Sequence, residues 1–560
     1  MNKKYSISGQ GTITLTDQDF IIEGGEGKIY AKQGVAYKIY TNPQDVISFA
    51  KIQELACLDQ AHIIRPQAIV LDQHHHPVGY TMQHITNTIA LPRFFTQNFK
   101  QQQHIQTADL FSILHTIKET IHFIHQKNCL MVDGNEMNYL VNKNDFKQVY
   151  FIDIDSYQTP SFPATALMPS IQDYHTQGFS QLTDWFAFAI IACQVLLGIH
   201  PYKGKHPSLK TLAARMQANV SIFNKAVSLP HTVGNINQLP DVLKTWFIQL
   251  FEQGQRSLPP DLHYTAQTNS TPAQTLTGNK KLSIQKLHDY PEPITAYYSY
   301  HGQQAVLTHT TVYINQDSPL SLPSADSIII FETNTLTAII AYTQQQFLSI
   351  TVPSLSYTEK TNLPCDHLFY SDNQLYIIYK DKLSLIRFTV TAKRYIVTIA
   401  KTWQVMPHAL KVYDRVLYQQ VLGMPYLLLP HGNTACAQCA IPELKPYKII
   451  QGQHENGVVS LIGYQQGRYD HILLRFDAHY QQYQCHIDKD KECLENNVIT
   501  LDNHTIIMIP EDEQLLIKHR DHNTEKQVHD PVIHTQMHLI HAGINVYFYT
   551  SHSLYRITMQ

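Results

Sequence analysis

The sequence lacks a surplus of either charge: 42 lysines and arginines stand against 45 aspartates and glutamates in 560 residues, a net charge of −3. A surface that draws nucleic acid by counterion release needs a basic surplus, so the balance argues against a nucleic-acid partner. Long apolar runs are also missing. The longest, "WFAFAIIACQVLLGI" from Trp185 to Ile199, falls short of the roughly 20 residues a membrane span needs and reads as a buried helix. The opening "MNKKYSISGQGTITLTDQDF" has lysines with no apolar segment behind them, so no signal peptide is expected. Eight scattered cysteines make no disulfide framework. These absences predict a soluble cytoplasmic chain with no membrane partner.

What is present is size and pattern. At 560 residues and 43% hydrophobic content, the chain exceeds the roughly 100 to 200 residues of one domain, so two or more cores are expected. Residues 10 to 90 alternate in short β-type runs broken by one helical stretch, "PQDVISFAKIQELACLDQ". From Thr107 to about Gln253 apolar residues recur at three- and four-residue spacing, as in "DLFSILHTIKETIHFIHQ". A strand-rich small lobe thus precedes a helical large lobe over 1–262. Residues 263–281 are rich in Thr, Gln and Asn and read as a linker.

From 282 to 560 no long amphipathic helix appears, while β-branched and aromatic runs recur between turn residues, which predicts an all-β domain. "HLFYSDNQLYIIYKDKLSLIRF" from His367 aligns without a gap with "HLIHAGINVYFYTSHSLYRITM" from His538. A loose repeat near 40 residues favours a propeller-like domain of six or seven blades, with a β-sandwich pair or a β-helix as alternatives.

The chemistry concentrates upstream. "IIEGGEGKIY" places Gly24, Gly25 and Gly27 in a turn between strands, where backbone amides can approach phosphate oxygens, and "VAYKIY" carries Lys38 on the next strand. "VDGNEMN" sets Asp133 and Asn138 five apart, and "IDID" follows a hydrophobic strand with Asp153. Each piece alone is an ordinary turn. "CAQC", Cys436 to Cys439, lacks a second pair for zinc, and "QHHHP", His74 to His76, reads as a solvated hairpin tip.

In order and rough spacing these pieces resemble the protein kinase family, most of all the divergent bacterial branch of eukaryotic-like kinases. The resemblance covers about residues 10 to 260. It implies an α+β bilobal fold and an ATP- and Mg²⁺-dependent enzyme of Ser/Thr type acting on a protein substrate, with the β domain recruiting substrate or a partner. It implies that Lys38 holds the α- and β-phosphates with Glu54 as its partner, that Asn138 and Asp153 hold Mg²⁺, and that Asp133 is the catalytic base. It matches Asp184 to the aspartate of the buried helix and Arg256 to the closing arginine.

The departures are equally specific. Ile22 stands at the first loop glycine, Met131-Val132 at the His-Arg pair, Asn135 at the lysine after the base, and Ile154-Asp155 at the Phe-Gly pair. Asp155 reads as an extra ligand or a solvated turn residue. Without an arginine before Asp133, phosphorylation of the hydroxyl-rich segment holding Ser156, Tyr157, Thr159, Ser161 and Thr165 is not expected to be required. The departures keep a pseudokinase scaffold open, and a small-molecule phosphotransferase shares the Asp-to-Asn spacing.

Overall fold

A computed structural model describes residues 3–164, 167–262, 282–300, 303–315, 319–321, 327–333, 336–353, 357–371, 374–390, 395–432, 434–491, 494–519 and 525–559. The expected linker 263–281 lies outside the described residues, as does Thr165. The chain divides into two compact units: one holds Met1–Ala273 with Tyr464–Asp470 and Lys489–Glu495, the other the remainder.

The first unit begins with strands. β1 (Lys3–Ile7), β2 (Gly11–Leu15), β3 (Phe20–Glu23), β4 (Gly27–Lys32), β5 (Val35–Tyr40), β6 (Ile69–Leu71) and β7 (Pro77–Gln83) form one sheet in the order β2-β1-β6-β7-β5-β4-β3. β5 lies inside this sheet, with Lys38 opposite Ile29 on β4 and Tyr80 on β7. Side chains alternate across a strand, so Lys38 and Tyr40 share one face, and Tyr80 stands on that face across the ladder. The single helix of this region, α1 (Phe49–Leu55), is capped by the Ser48 hydroxyl, which accepts from Lys51 N at 3.2 Å.

Helices follow: α2 (Gln97–Gln102), α3 (Thr107–Gln126), α4 (Gln181–Leu197), α5 (Leu212–Ala218) and α6 (Asp241–Phe251). A short sheet of β8 (Thr88–Ala90), β9 (Tyr139–Asn142) and β10 (Val149–Phe151) lies in the same region. α4 is buried on almost every side, from Asp184 through Val195, as its unbroken apolar run requires. The stripe of α3 running from Leu110 to Ile124 and the α6 residues Trp246, Phe247 and Phe251 belong to the same core. Arg256 closes this unit: its Nε and Nη2 donate to the two Asp173 carboxylate oxygens at 2.6 and 2.7 Å, and its guanidinium lies 4.4 Å from the Phe186 ring centre.

Apart from a 3-10 turn at Pro442–Leu444 the second unit is all β, and the six α-helices among the described residues all precede Glu252. It contains seven four-stranded sheets among the described residues, not the two large sheets of a sandwich. Six of them are built from strands consecutive in sequence. The seventh pairs Leu282–Asp289 antiparallel with Ser553–Met559, so the first strand of the region completes the sheet made by the last three. The aligned segments from His367 and His538 each form three successive strands of one sheet.

Candidate functional site

The loop after α3 is shaped by a residue of α4. Asp184 Oδ2 accepts from Met131 N and Oδ1 from Val132 N, both at 2.9 Å, and His125 Nε2 at the end of α3 lies 2.8 Å from Oδ2. These bonds hold Val132 at φ +60°, a left-handed conformation that is unfavourable for a β-branched residue. The strained residue sets the direction of the next one. Asp133 is buried, accepting from Asn135 Nδ2 at 3.0 Å on Oδ2 and from Met168 N at 2.7 Å on Oδ1.

Asn138 is tied into the same loop. Its Nδ2 donates to the Asp133 carbonyl at 2.8 Å, and its own carbonyl accepts from Ile152 N at 3.0 Å. The first bond orients the amide so that its oxygen is left for another partner; the second brings Asn138 beside the residue that precedes Asp153. Asp153 also has left-handed backbone, φ +64°, and its Oδ1 accepts from Lys38 Nζ at 3.2 Å. Lys38, Asp153, Asn138 and Asp133 are therefore linked by a continuous set of contacts. The Asn138 amide oxygen and the Asp153 carboxylate are the hard oxygen donors that suit Mg²⁺.

Lys38 has two further partners. Its Nζ donates to Asp155 Oδ2 at 2.6 Å and to Glu26 Oε2 at 2.7 Å. Asp155 is 3% exposed and also accepts from the Tyr40 hydroxyl at 2.6 Å and the Tyr80 hydroxyl at 2.7 Å. Burial pushes the Asp155 carboxyl up, but the Lys38 charge and the hydrogen bonds from Lys38, Tyr40 and Tyr80 outweigh it and hold it below the usual range. Burial likewise opposes the Lys38 charge, and the surrounding tyrosines and aspartates raise its pKa well above the ordinary value. A buried ion pair with this many hydrogen bonds is compensated rather than costly.

Glu26 comes from the glycine turn. Gly24 N donates to Gly27 O at 2.8 Å, closing the turn, and Thr41 N donates to the Glu26 carbonyl at 2.8 Å, anchoring it to the end of β5. A Cβ on Gly27 would run into the Ile39 carbonyl, so this glycine is required by strand packing, whereas Gly24 and Gly25 have open space around them. Carboxylate oxygens of Glu26, Asp153 and Asp155 all lie within 4.8 Å of one another. The Lys38 ammonium bonds to all three.

The expected partner of Lys38 is corrected: Glu54 does not pair with it. Glu54 Oε2 accepts from Ser161 N at 3.2 Å, because the buried face of α1 consists of Lys51, Ile52 and Leu55 and leaves Glu54 at its edge. The carboxylate that pairs with Lys38 is Asp155, which the sequence left between a metal ligand and a solvated turn. In the hydroxyl-rich segment, Ser156, Tyr157 and Thr159 are buried, and Ser161 is exposed. Cys436 and Cys439 lie on the strand Ala435–Ala440, where burial first of all pushes both thiols up, Cys436 to about 12, which opposes thiolate chemistry. The chain matches no protein-family model and no curated protein.

Proposed function

We propose that residues 1–262 are a bilobal kinase-like domain that transfers the γ-phosphate of ATP to a protein hydroxyl of Ser/Thr type, and that residues 282–560 are a seven-bladed β-propeller that recruits substrate or a partner. The observation that carries the reading is the contact set running from Lys38 through Asp153 and Asn138 to Asp133. Phosphoryl transfer needs charge neutralisation and alignment more than covalent help. Lys38 supplies a cation for the phosphates, Asn138 and Asp153 supply the metal ligands, and Asp133 receives the acceptor proton. Bound Mg²⁺ would neutralise charge on the phosphate oxygens. The seven sheets, with the first strand completing the last sheet, support the propeller.

A pseudokinase scaffold is the second reading, and a specific observation favours it. Both Asp133 oxygens already accept hydrogen bonds, one of them from Met168 N, so an acceptor hydroxyl must share the carboxylate with that amide. Transfer of label from γ-labelled ATP with Mg²⁺, to the chain itself or to generic protein acceptors, separates the two. Mg²⁺-dependent binding without transfer would favour the scaffold.

A further inference from the structure

The buried face of α1 carries Ile52, Leu55 and a lysine, Lys51, which is 4% exposed. Its backbone N–H is used by the Ser48 cap, but among the described residues its ammonium has no hydrogen-bond or ion-pair partner. The stem of Lys51 is covered while its ammonium holds no partner, which leaves the charge available to an anion. α1 packs against Ile154–Ser156, the turn that carries Asp155. From there Lys51 is attracted by Asp155, Glu26 and Glu54 and repelled by Lys38, while burial holds its pKa below the ordinary lysine value.

The hydrogen-bond capacity of the two lysines differs sharply. An ammonium has three N–H donors, and Lys38 directs bonds to three carboxylates, Asp155, Glu26 and Asp153. It cannot donate to a phosphate oxygen until one of these leaves. Asp155 is fixed by two tyrosine hydroxyls as well. Lys51 has all three donors unspent, beside the same acids. Of the carboxylates that attract it, Asp155 and Glu26 are committed to Lys38 and Glu54 accepts from Ser161 N, and what would balance it is an anion brought from outside.

We propose that Lys51 is a second phosphate-binding cation of this site, donating to the polyphosphate of a bound nucleotide alongside Lys38. The assignment rests on the nucleotide reading above and adds to it a residue of α1 where that reading expected an acid. It also gives the apparently misplaced charge a ligand.

Calorimetric titration of the full chain with Mg·ATP tests it, using the parent, Lys51→Met and Lys51→Arg. The parent binds, Lys51→Met binds about tenfold more weakly or worse, the loss of a charge-assisted hydrogen bond, and Lys51→Arg recovers most of the affinity. Without nucleotide, Lys51→Met melts at or above the parent temperature, since the covered stem is replaced by an apolar one and a charge without a partner is gone; a residue serving only packing would not combine these two effects. If Lys51→Met does not fold, Lys51→Gln, which keeps a polar end, takes its place in the titration. Equal Mg·ATP affinity in parent and variant overturns the Lys51 assignment and leaves the nucleotide reading intact. No binding of Mg·ATP by the parent overturns both.

Discussion

Lys38 and Asp155 lie 2.6 Å apart with side chains 7% and 3% exposed, the one from the middle of a sheet and the other from the turn after β10. The pair fastens the sheet to the loop that also carries Asp153, so its geometry sets the distance between the two halves of the candidate site. Removing one member leaves the other buried and uncompensated. Asp155→Asn is expected to cost roughly 3 to 5 kcal/mol of stability in denaturant titration. A loss below about 1 kcal/mol would mean that the pair behaves as a surface ion pair and fastens nothing.

Asp184 is expected to matter through Val132. Its carboxylate supplies both bonds that hold the left-handed residue, and Asp184→Asn can satisfy only one of the two amides with its single carbonyl oxygen. Destabilisation of about 2 to 3 kcal/mol is expected, since buried donors lose their partners. Hydrogen exchange should quicken at Met131 and Val132 before it does in the core of α4. Unchanged exchange there would show that the loop holds its shape by other contacts.

Glu26 competes with any anion that approaches Lys38, because its carboxylate holds one of the three ammonium donors at 2.7 Å. Glu26→Gln keeps the size of the side chain and removes the charge. Mg·ATP affinity is expected to rise a few-fold in titration at moderate salt. A weaker affinity would show that Glu26 helps to hold the nucleotide, directly or through a metal.

In the second unit, Glu455 links its own sheet to three others. Its Oε1 lies 3.0 Å from His541 Nε2 and 3.4 Å from Arg415 Nη1, and its Oε2 accepts from Thr500 N at 3.0 Å. Burial opposes both charges, but the hydrogen bond and mutual attraction raise the His541 pKa above the ordinary histidine value and hold Glu455 below the ordinary carboxyl value. A raised histidine contributes stability that is complete below about pH 6.5 and is lost as pH rises through the folded value; the lowered glutamate contributes above about pH 4.3 and is lost as pH falls through its folded value. The melting temperature of this unit is therefore expected to fall as pH rises above about 6.5, and His541→Gln to flatten that slope. An identical slope in the variant would assign the titration to another group.

Much of the fold was legible because its signals are local. The three- and four-residue apolar spacing of α3, the unbroken run of α4 and the gapless match between the segments from His367 and His538 each reflect one element or one repeat. Lys38, Asp133, Asn138 and Asp153 could be singled out because their residue types and order carry information. Asp155 could not, since a carboxylate after a strand looks the same whether it meets water or three buried donors; only the approach of β5 and β7 decides. Glu54 is misassigned for a related reason. An acid was expected on α1, whereas Ile52 and Leu55 fix the inward face and put Lys51 on it.

The central claim is that the contact set from Lys38 to Asp133 transfers phosphate. Asp133→Asn is the sharpest test, because it removes the proposed base and leaves Lys38, Asn138 and Asp153 in place. Transfer of label from γ-labelled ATP should be measured beside Mg·ATP binding, in the parent and in this variant. Expected are transfer by the parent, a loss of at least about a hundredfold in the variant, the low end of what a positioned base contributes, and Mg·ATP affinity within a few-fold of the parent. Undiminished transfer by Asp133→Asn, or no transfer by a parent that binds Mg·ATP, would contradict it.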